Sequence, residues 1–303
     1  MRVGTSTLFV ACTLVWGTTW YAITYQLSAA APEVGVALRF MLAGGAILAW
    51  CVLSGQSVHH PPAHHGLFAA QGLTGFALSY VLIYHAERHI VSGLVATGYA
   101  LMPLTNMAGA RLLFGTRMSR RVAAGGAVGA TGVALVFWPE LATVSATTAT
   151  VLGAALTAGA VLLSCVSNMV VLSQQQQRLA HWSPLGWAML YGAAGAALAA
   201  LVSGRAWDVQ WSTPFALSLL YLALGGSVLA FGAYYMLLER VGAARAAYIG
   251  VFTPIVALLV SSWFEGFDWQ WQTWTGVALV LAGAALSRPT RSTAATAAQA
   301  EPT

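Results

Sequence analysis

Charged side chains are scarce in this chain. Asp, Glu, Lys and Arg make up 7% of its 303 residues, whereas an ordinary soluble domain carries about 25%. Lysine is absent, so all 13 basic residues are arginines. With 58% hydrophobic residues and a mean hydropathy of +0.73, the chain has too few polar groups to cover a water-exposed surface. This excludes a cytosolic enzyme, a disordered chain and a secreted disulfide scaffold.

Cysteine is also rare, and the familiar cofactor motifs are missing. Cys12, Cys51 and Cys165 are scattered through apolar runs, an irregular and odd-numbered set that argues against disulfides and against a thiolate metal site. The sequence has no phosphate-binding glycine loop, zinc motif or nucleophile elbow in a supporting context. No cofactor is therefore predicted.

Long apolar runs fill most of the chain, and each has the length that a membrane-spanning helix needs, about 17–25 residues. Small residues recur within them, which lets helix backbones approach closely in a bilayer. We therefore predict an all-α integral membrane protein with ten transmembrane helices and the lipid bilayer as its first partner. The ten predicted spans lie near 4–25, 33–54, 66–86, 92–114, 120–138, 149–172, 183–202, 214–236, 243–264 and 272–288.

The arginines predict orientation and give no sign of a nucleic-acid partner, although the net charge is +5. They occur singly or in pairs between the apolar runs. With the N-terminus inside, nine lie on the cytoplasmic side and two on the outer side, and basic residues are enriched in cytoplasmic loops. Both termini are therefore predicted to be cytoplasmic. The nine are Arg2, Arg117, Arg120, Arg121, Arg178, Arg240, Arg245, Arg288 and Arg291, and the two are Arg88 and Arg205.

The two halves of the chain match at a constant offset of 151 residues. Among the ten matched pairs, Pro103 with Pro254 is the most informative, because the chain has only 10 prolines. The pattern predicts a first repeat over 1–143, a second over 144–288 and a disordered cytoplasmic tail over 289–303. Each repeat has five spans, an odd number, so the second must be inverted relative to the first. Inverted repeats are typical of transporters that alternate access to a central site.

Several short motifs resemble those of a known transporter family. They are Leu14-Val15-Trp16-Gly17, the run from Leu38 to Gly44, the paired prolines, Phe114-Gly115 and Glu265-Gly266. On these residues the chain resembles the ten-helix, EamA-type branch of the drug/metabolite transporter superfamily, and within it most closely the bacterial aromatic amino acid exporters. The resemblance implies a metabolite exporter of the bacterial inner membrane. Phe114, where an acidic residue is expected, and Ser167-Asn168, which replace Trp-Gly, depart from the pattern.

A substrate cavity needs a few convergent polar groups on apolar walls, and several spans carry such residues at helical spacing. Residues four apart lie side by side on a helix. Each aromatic residue has an alternative role in lipid contact or helix packing, and the two asparagines could instead hydrogen-bond between helices. The candidate substrate-binding residues are Trp16, Trp20, Tyr80, Tyr84, Tyr99, Asn106, Ser164, Asn168, Tyr248 and Phe252.

Pro103 and Pro254 fall near the middle of predicted spans 4 and 9. A proline within a helix frees the carbonyl four residues earlier, here the carbonyls of Tyr99 and Gly250. A free carbonyl at membrane depth is tolerated where it lines a cavity, so these acceptors could bind an ammonium group. The alternative, compatible with the first, is that the prolines act as hinges.

Arg39 and His85 are the two ionisable candidates. Arg39 lies within span 2, where it could meet a substrate carboxylate or extend to the interface. The chain's carboxylates all fall at span ends, in loops or in the tail, with Glu87-Arg88 read as interfacial charges. This predicts uncoupled, gradient-driven flux. In the alternative, His85 is a proton relay.

The segment His59-His60-Pro61-Pro62-Ala63-His64-His65 raises the question of a metal site. Since no carboxylate neighbours it, we interpret it as a polar loop and predict no functional metal.

Together these features predict a membrane exporter of small metabolites, with aromatic or other neutral amino acids as the implied substrates and alternating access as the mechanism. Aromatic walls suit an aromatic side chain. They would also serve a multidrug or organic cation exporter through cation–π contacts, which is the first alternative. An integral-membrane enzyme is a distant alternative, because only the histidine segment offers a cluster of reactive groups. The sequence does not predict the oligomeric state.

Overall fold

The computed structural model describes residues 4–115, 120–142, 148–177, 179, 182–241 and 249–286, and its regular elements over these ranges are all helical. Tyr248 and the predicted tail over 289–303 lie outside the described residues. The α-helices are α1 Thr5–Leu27, α2 Pro32–Leu53, α3 Pro62–Gln71, α4 Ser79–Ala86, α5 Ser92–Gly98, α6 Met102–Phe114, α7 Arg120–Ala142, α8 Thr148–Gln176, α9 Trp182–Val202, α10 Thr213–Leu220, α11 Ala230–Val241, α12 Ile249–Phe264 and α13 Trp271–Leu286.

Seven of the described helical stretches are long and apolar enough to cross a membrane, counting Pro62–Ala86 and Thr213–Tyr234 as continuous. The helices α12 and α13 are apolar but shorter. The predicted span near 92–114 is divided into α5 and α6. An all-helical membrane protein is what this arrangement supports, since each stretch matches a hydropathy run in the sequence.

Two of the long stretches contain a π-helical segment, where the backbone hydrogen bonds span five residues. One segment is Gly72–Leu78, between α3 and α4, and the other is Tyr221–Leu229, between α10 and α11. Residues 72–78 correspond to 223–229 at the offset of 151, so the two segments occupy matching positions. Such segments are rare and occur frequently at functional sites.

The helix break expected at Pro103 lies slightly upstream of the proline. Residues Tyr99–Leu101 form a 3-10 turn between α5 and α6, and Pro103 sits in the first turn of α6. A missing N–H is harmless there, because the first turn of a helix has no acceptor for it. Pro103 therefore starts a helix, whereas Pro254 is buried within α12.

Glycines bring two helix pairs into close contact. A β-carbon on Gly132 of α7 would lie 2.6 Å from the carbonyl oxygen of Gly276 on α13, and Gly125 approaches Gly283 along the same pair. The residue numbers rise along α7 as they fall along α13, so these helices are antiparallel. Backbones can pack this closely only where side chains are absent.

The helices α2 and α9 form a second antiparallel pair. Gly44 lies against Gly186 and Leu190, and the ring of Trp50 lies 5.0 Å from that of Trp182. The numbers again run in opposite directions. By the 151-residue offset, α9 corresponds to α2 and α13 corresponds to α7.

The bundle has two ends, which we name by a residue at each. At the Glu265 end, the turns at 28–31 and 87–91 meet the segments 203–212 and 265–270, for example through the Gln210 N–H and the Ala29 carbonyl at 2.9 Å. At the His60 end, the segment 54–61 meets the start of α9, where Trp187 Nε1 donates to the Val58 carbonyl at 2.9 Å. The candidate site residues lie between these ends.

Candidate functional site

Three hydroxyl groups from different elements meet inside the bundle. Ser79 Oγ lies 3.0 Å from Tyr99 Oη and 2.6 Å from Ser164 Oγ, and Tyr99 Oη lies 3.1 Å from Ser164 Oγ. We call these residues the Tyr99 cluster. Because Tyr99 opens the 3-10 turn, the cluster sits where the helix is broken. Two of its members, Tyr99 and Ser164, were predicted from the sequence.

Aromatic rings extend from this cluster, as predicted for Trp20 and Tyr80. The rings of Trp20 and Tyr99 are 5.2 Å apart between centroids. Tyr80, which follows Ser79 in the chain, packs edge-on against Phe40 at 4.7 Å. Hydroxyl groups bordered by aromatic faces make a surface that suits a ligand with a ring and a polar end.

Trp16 reaches the π-helical segment of the second half. Its Nε1 donates to the Gly226 carbonyl at 3.0 Å, and its ring packs against Phe231 at 5.3 Å and Tyr234 at 5.5 Å. A π-helix leaves carbonyls poorly used by the helix itself, which gives the indole a partner. Trp16 thus links α1 to the π-helical segment Tyr221–Leu229 and to α11, which follows it.

Asn106 and Asn168 pair with each other. Asn168 Nδ2 donates to Asn106 Oδ1 at 3.1 Å, which links α6 to α8. Of the two interpretations drawn from the sequence, this geometry matches interhelical hydrogen bonding.

Two predicted site residues, Phe252 and Tyr84, make their contacts away from the Tyr99 cluster. Phe252 is 41% exposed on the outside of the bundle, where its ring lies 6.0 Å from that of Phe9. Tyr84 is fully buried and its hydroxyl donates to Gln26 Oε1 at 2.8 Å. Helical spacing alone does not tell which face of α12 meets lipid, and a role for Phe252 in the site stays a prediction.

Carboxylates lie deeper than their positions near span ends suggest. Glu33, at the start of α2, is only 4% exposed, and its Oε1 lies 2.9 Å from His85 Nε2. Glu265 accepts hydrogen bonds from the Ser92 backbone N–H and from the hydroxyls of Ser92 and Ser261. His85 therefore forms a hydrogen bond with Glu33, and Glu265 joins α12 to α5.

Glu87 corrects the expectation that no carboxylate is buried. Both of its carboxylate oxygens are shielded from solvent and have no hydrogen-bond partner, although the side chain as a whole is half-buried. Burial raises the pKa of Glu87 well above its ordinary value; the neighbouring charge of Glu265 raises it further and that of Arg39 opposes the rise. The argument for uncoupled flux from the absence of a buried carboxylate no longer holds.

Arg39 is buried within the bundle and does not extend to the interface. It is 2% exposed, and its guanidinium carbon lies 4.8 Å from the ring centroid of Tyr80 and 5.2 Å from that of Phe40. Within the part of the chain that the structure describes, its Nε and Nη1 have no hydrogen-bond partner. A cation over aromatic faces is attracted to the rings, but its donors remain available to an anion.

The histidine segment packs against aromatic rings at the His60 end. His60 Nε2 lies 2.9 Å from Ser183 Oγ, and His65 Nδ1 lies 3.1 Å from Tyr191 Oη. Burial lowers the pKa of His60, and the neighbouring histidines lower it further. Within the described ranges, no group of three His, Cys, Asp or Glu side chains is arranged to hold a metal ion.

Sequence reasoning missed Ser79, Gln26 and Glu87. Ser79 and Gln26 are polar residues within apolar spans, which is by itself a signal of function or pairing. Glu87 gave no such signal, because a carboxylate next to an arginine at a span end looks like an interfacial pair. In the structure, Glu87 lies within electrostatic reach of two residues far from it in sequence, Arg39 on α2 and Glu265.

The comparisons with known proteins identify the family. The sequence model of the EamA-like transporter family matches residues 5–138 and, separately, residues 151–288. The chain belongs to the EamA-like transporter family. The family supports a membrane transporter of small molecules and makes the enzyme alternative the weaker one.

This EamA-like transporter is similar to three bacterial proteins across most of its length. Protein PagO of Salmonella typhimurium is 23% identical over 273 residues, with 88% of this chain and 86% of PagO covered. The uncharacterized inner membrane transporter YedA of Escherichia coli is 26% identical over 272 residues, covering 88% and 85%. Protein PecM of Dickeya dadantii is 26% identical over 271 residues, covering 88% and 84%.

A solved structure shares the fold. A protein crystal structure superposes with a TM-score of 0.67 at 19% sequence identity, covering 98% of this chain and 99% of the other. At this identity the likeness concerns the fold alone.

Proposed function

We propose that this EamA-like transporter exports aromatic or other neutral amino acids by alternating access, with its substrate site at the Tyr99 cluster and the rings of Trp20 and Tyr80. The observation that carries the proposal is the meeting of three hydroxyls and two aromatic rings at a helix break inside the bundle. Hydroxyl groups suit the polar end of an amino acid, and ring faces suit its side chain.

Alternating access follows from a ten-span architecture of two inverted repeats over 1–143 and 144–288, which we also propose. Two separate family matches support it. So do the π-helical segments at matching positions and the antiparallel contact between helices that correspond at the 151-residue offset. An antiparallel contact between equivalent helices is what a two-fold axis in the membrane plane requires.

The proposed location is the bacterial inner membrane, with both termini in the cytoplasm. The excess of arginines on one side supports this orientation. YedA, which is similar over most of the chain, is named an inner membrane transporter.

An organic cation exporter is the second candidate, and Glu87 favours it. A buried carboxylate beside aromatic rings is a suitable site for a cation. An amino acid exporter needs a ligand that also carries a carboxylate, whereas an organic cation exporter does not. Transport measured with both kinds of compound distinguishes the two.

The test is counterflow in liposomes that contain the purified full-length chain. Labelled L-phenylalanine is exchanged against unlabelled aromatic amino acids, aliphatic neutral amino acids and a quaternary ammonium dye. We expect aromatic amino acids to drive counterflow most strongly. If labelled L-phenylalanine shows no counterflow against any compound while the dye, labelled in its turn, exchanges against unlabelled dye, the cation exporter replaces the amino acid proposal.

Two variants test whether the substrate site lies at the Tyr99 cluster. Tyr99→Ala should lower counterflow at least tenfold, because it removes both the ring and the shared hydroxyl. Trp138→Ala is the matched control, since Trp138 is 57% exposed on α7. If both variants transport like the unmodified chain, the site lies elsewhere.

A further inference from the structure

Arg39 and Glu87 are oppositely charged groups with buried polar atoms that have no hydrogen-bond partner among the described residues. The Nε and Nη1 atoms of Arg39 have no acceptor, and both carboxylate oxygens of Glu87 have no donor. All four atoms are shielded from solvent. A buried polar or charged group without a partner is destabilising, so a fold that retains two such groups is arranged for something that supplies the missing partners.

The two charges occupy one region of the bundle. The guanidinium of Arg39 lies over Tyr80 on α4, and Glu87 directly follows the last residue of the same helix. Both charges act on the phenol of Tyr84, and the charge of Arg39 acts on Glu87. No direct ion pair joins them among the described contacts. They are therefore neighbouring charges within electrostatic reach of each other, with the buried Tyr84 beside both.

The nearby carboxylates differ from Glu87 because they already have partners. Glu265 accepts from Ser92 and Ser261, and Glu33 is paired with His85 and lies 3.8 Å from Arg205. Among the described residues at this end, Glu87 is the carboxylate whose two oxygens both lack a hydrogen-bond partner, whereas in Glu33 only Oε2 lacks one. The choice of Glu87 as a ligand group follows from that difference.

We infer that Arg39 and Glu87 bind the two charged groups of a zwitterionic amino acid, Arg39 the carboxylate and Glu87 the ammonium. This rests on the proposed function and adds to it the recognition of the amino acid's charges. A guanidinium donates parallel hydrogen bonds to a carboxylate, and a carboxylate accepts them from an ammonium. A zwitterion supplies both missing partners at once.

The same arrangement places the substrate's side chain. Arg39 stacks on Tyr80, and Tyr80 follows Ser79 of the Tyr99 cluster in the chain. An amino acid held by its charges would extend its side chain along Tyr80 toward Trp20 and Tyr99. The charged pair thus confers selection for amino acids, and the rings confer preference for aromatic ones.

Proton release accompanies binding in this arrangement. In the empty site, burial and the charge of Glu265, which follows α12, raise the pKa of Glu87 above its ordinary value, and Arg39 on α2 opposes the rise, so the protonated carboxyl is favoured there. An ammonium ligand needs the ionised carboxylate and displaces the proton. Affinity for an ammonium ligand should therefore rise with pH until Glu87 is ionised in the empty site.

The test measures binding of three probes to the full chain in nanodiscs at pH 6 and pH 8. L-phenylalanine carries both charges, phenethylamine only the ammonium and 3-phenylpropionate only the carboxylate. The variants are Glu87→Gln and Arg39→Gln. Arg88→Gln is the control, because Arg88 adjoins Glu87 in the chain but is exposed.

We expect Glu87→Gln to weaken L-phenylalanine and phenethylamine binding at least tenfold, to leave 3-phenylpropionate unchanged and to remove the rise of affinity with pH. Arg39→Gln should weaken L-phenylalanine and 3-phenylpropionate at least tenfold and spare phenethylamine. Where Arg39→Gln does not fold, Arg39→Lys, which keeps the charge and loses the paired hydrogen bonds, should still lower the preference for L-phenylalanine over phenethylamine.

Equal losses for all three probes in both variants would overturn the inference, as would an unchanged pH dependence in Glu87→Gln. Either result leaves the proposed function intact if the unmodified chain binds L-phenylalanine. If the unmodified chain binds phenethylamine but neither L-phenylalanine nor 3-phenylpropionate, the amino acid proposal itself fails.

Discussion

Tyr99 connects three parts of the fold through one phenol oxygen, which lies near the hydroxyls of Ser79 and Ser164. Tyr99→Phe removes this oxygen and keeps the ring. Loss of a buried hydrogen bond costs about 1 kcal/mol, so the free energy of unfolding should fall by about that amount. Unfolding in mixed detergent micelles measures it, and counterflow should fall in parallel.

Tyr25→Phe is the matched change for Tyr99→Phe. Tyr25 is 40% exposed, and its hydroxyl has only a long contact of 3.4 Å to Tyr21. Its loss should leave both stability and transport within error. A Tyr99→Phe variant as stable and as active as Tyr25→Phe would remove the cluster from the mechanism.

Asn106 and Asn168 are the only two asparagines in the chain, and they pair with each other. Each single change to Leu leaves the other amide unpaired among helices, which should cost about 1–3 kcal/mol. The double change removes both amides and should cost less than the sum. A double-mutant cycle on unfolding measures the coupling, expected near the average of about 0.6 kcal/mol for interhelical hydrogen bonds. Strictly additive losses would contradict the pairing.

At the residue scale, sequence reasoning succeeded where a property depends on the chain itself and failed where it depends on distant neighbours. Helical spacing marked Trp20 and Tyr99 as candidate site residues, and in the structure their rings lie 5.2 Å apart. Phe252 has equally good spacing but lies on the outer surface. The burial of Glu87 depends on side chains far from it in sequence, so no local pattern reveals it.

At the scale of elements, glycine contacts hold α2 against α9. A β-carbon on Gly44 would lie 2.8 Å from the Gly186 carbonyl oxygen and 3.0 Å from Leu190 Cγ, whereas Gly45 has open space. Gly44→Ala forces the helices apart, and overpacking of this kind costs about 1–3 kcal/mol. Gly45→Ala should be neutral or slightly stabilising. Unfolding of the two variants side by side measures the difference, and equal stabilities would show that this contact is not tight.

Helix positions follow from hydropathy, but interruptions within helices do not. The apolar runs near 33–54 and 183–202 correspond to α2 and α9 within a few residues. The π-helical segments Gly72–Leu78 and Tyr221–Leu229 could not be predicted, because they arise where neighbouring backbones constrain a helix. Pro103 did signal a break, and the structure shifts it to the preceding turn because proline fits best in the first turn of a helix.

At the scale of the whole molecule, the proposed inversion makes a prediction about the two membrane sides. Reporter fusions after residues 59, 118, 180 and 242 should report the cytoplasm, and fusions after 29, 145 and 208 the outside. The physical reason is that five spans, an odd number, leave the chain on the opposite side of the membrane, so the second half begins outside and ends in the cytoplasm. Alkaline phosphatase and fluorescent protein fusions, used in parallel at each position, give opposite signals and control for expression. A cytoplasmic signal at 145 would contradict the inverted repeat.

The described conformation is closed at the Glu265 end by contacts between the two halves. The hydroxyls of Ser92 on α5 and Ser261 on α12 are 3.2 Å apart, and both donate to Glu265. A substrate held at the Tyr99 cluster could not leave between these helices. Under the proposed alternating access, we expect α5 and α12 to separate here during each cycle.

A reversible cross-link tests that separation. Ser92→Cys and Ser261→Cys are combined in a chain whose buried Cys12, Cys51 and Cys165 are replaced by alanine. Mild oxidation should form the disulfide and stop counterflow, since the closed end can no longer open, and a reductant should restore the original rate. Each single-cysteine chain, treated in the same way, controls for oxidation elsewhere, and mass spectrometry measures the cross-linked fraction. If fully cross-linked protein exchanges substrate at the uncross-linked rate, the path between α5 and α12 is not the exit, because a covalent bond there would have had to break for the substrate to pass.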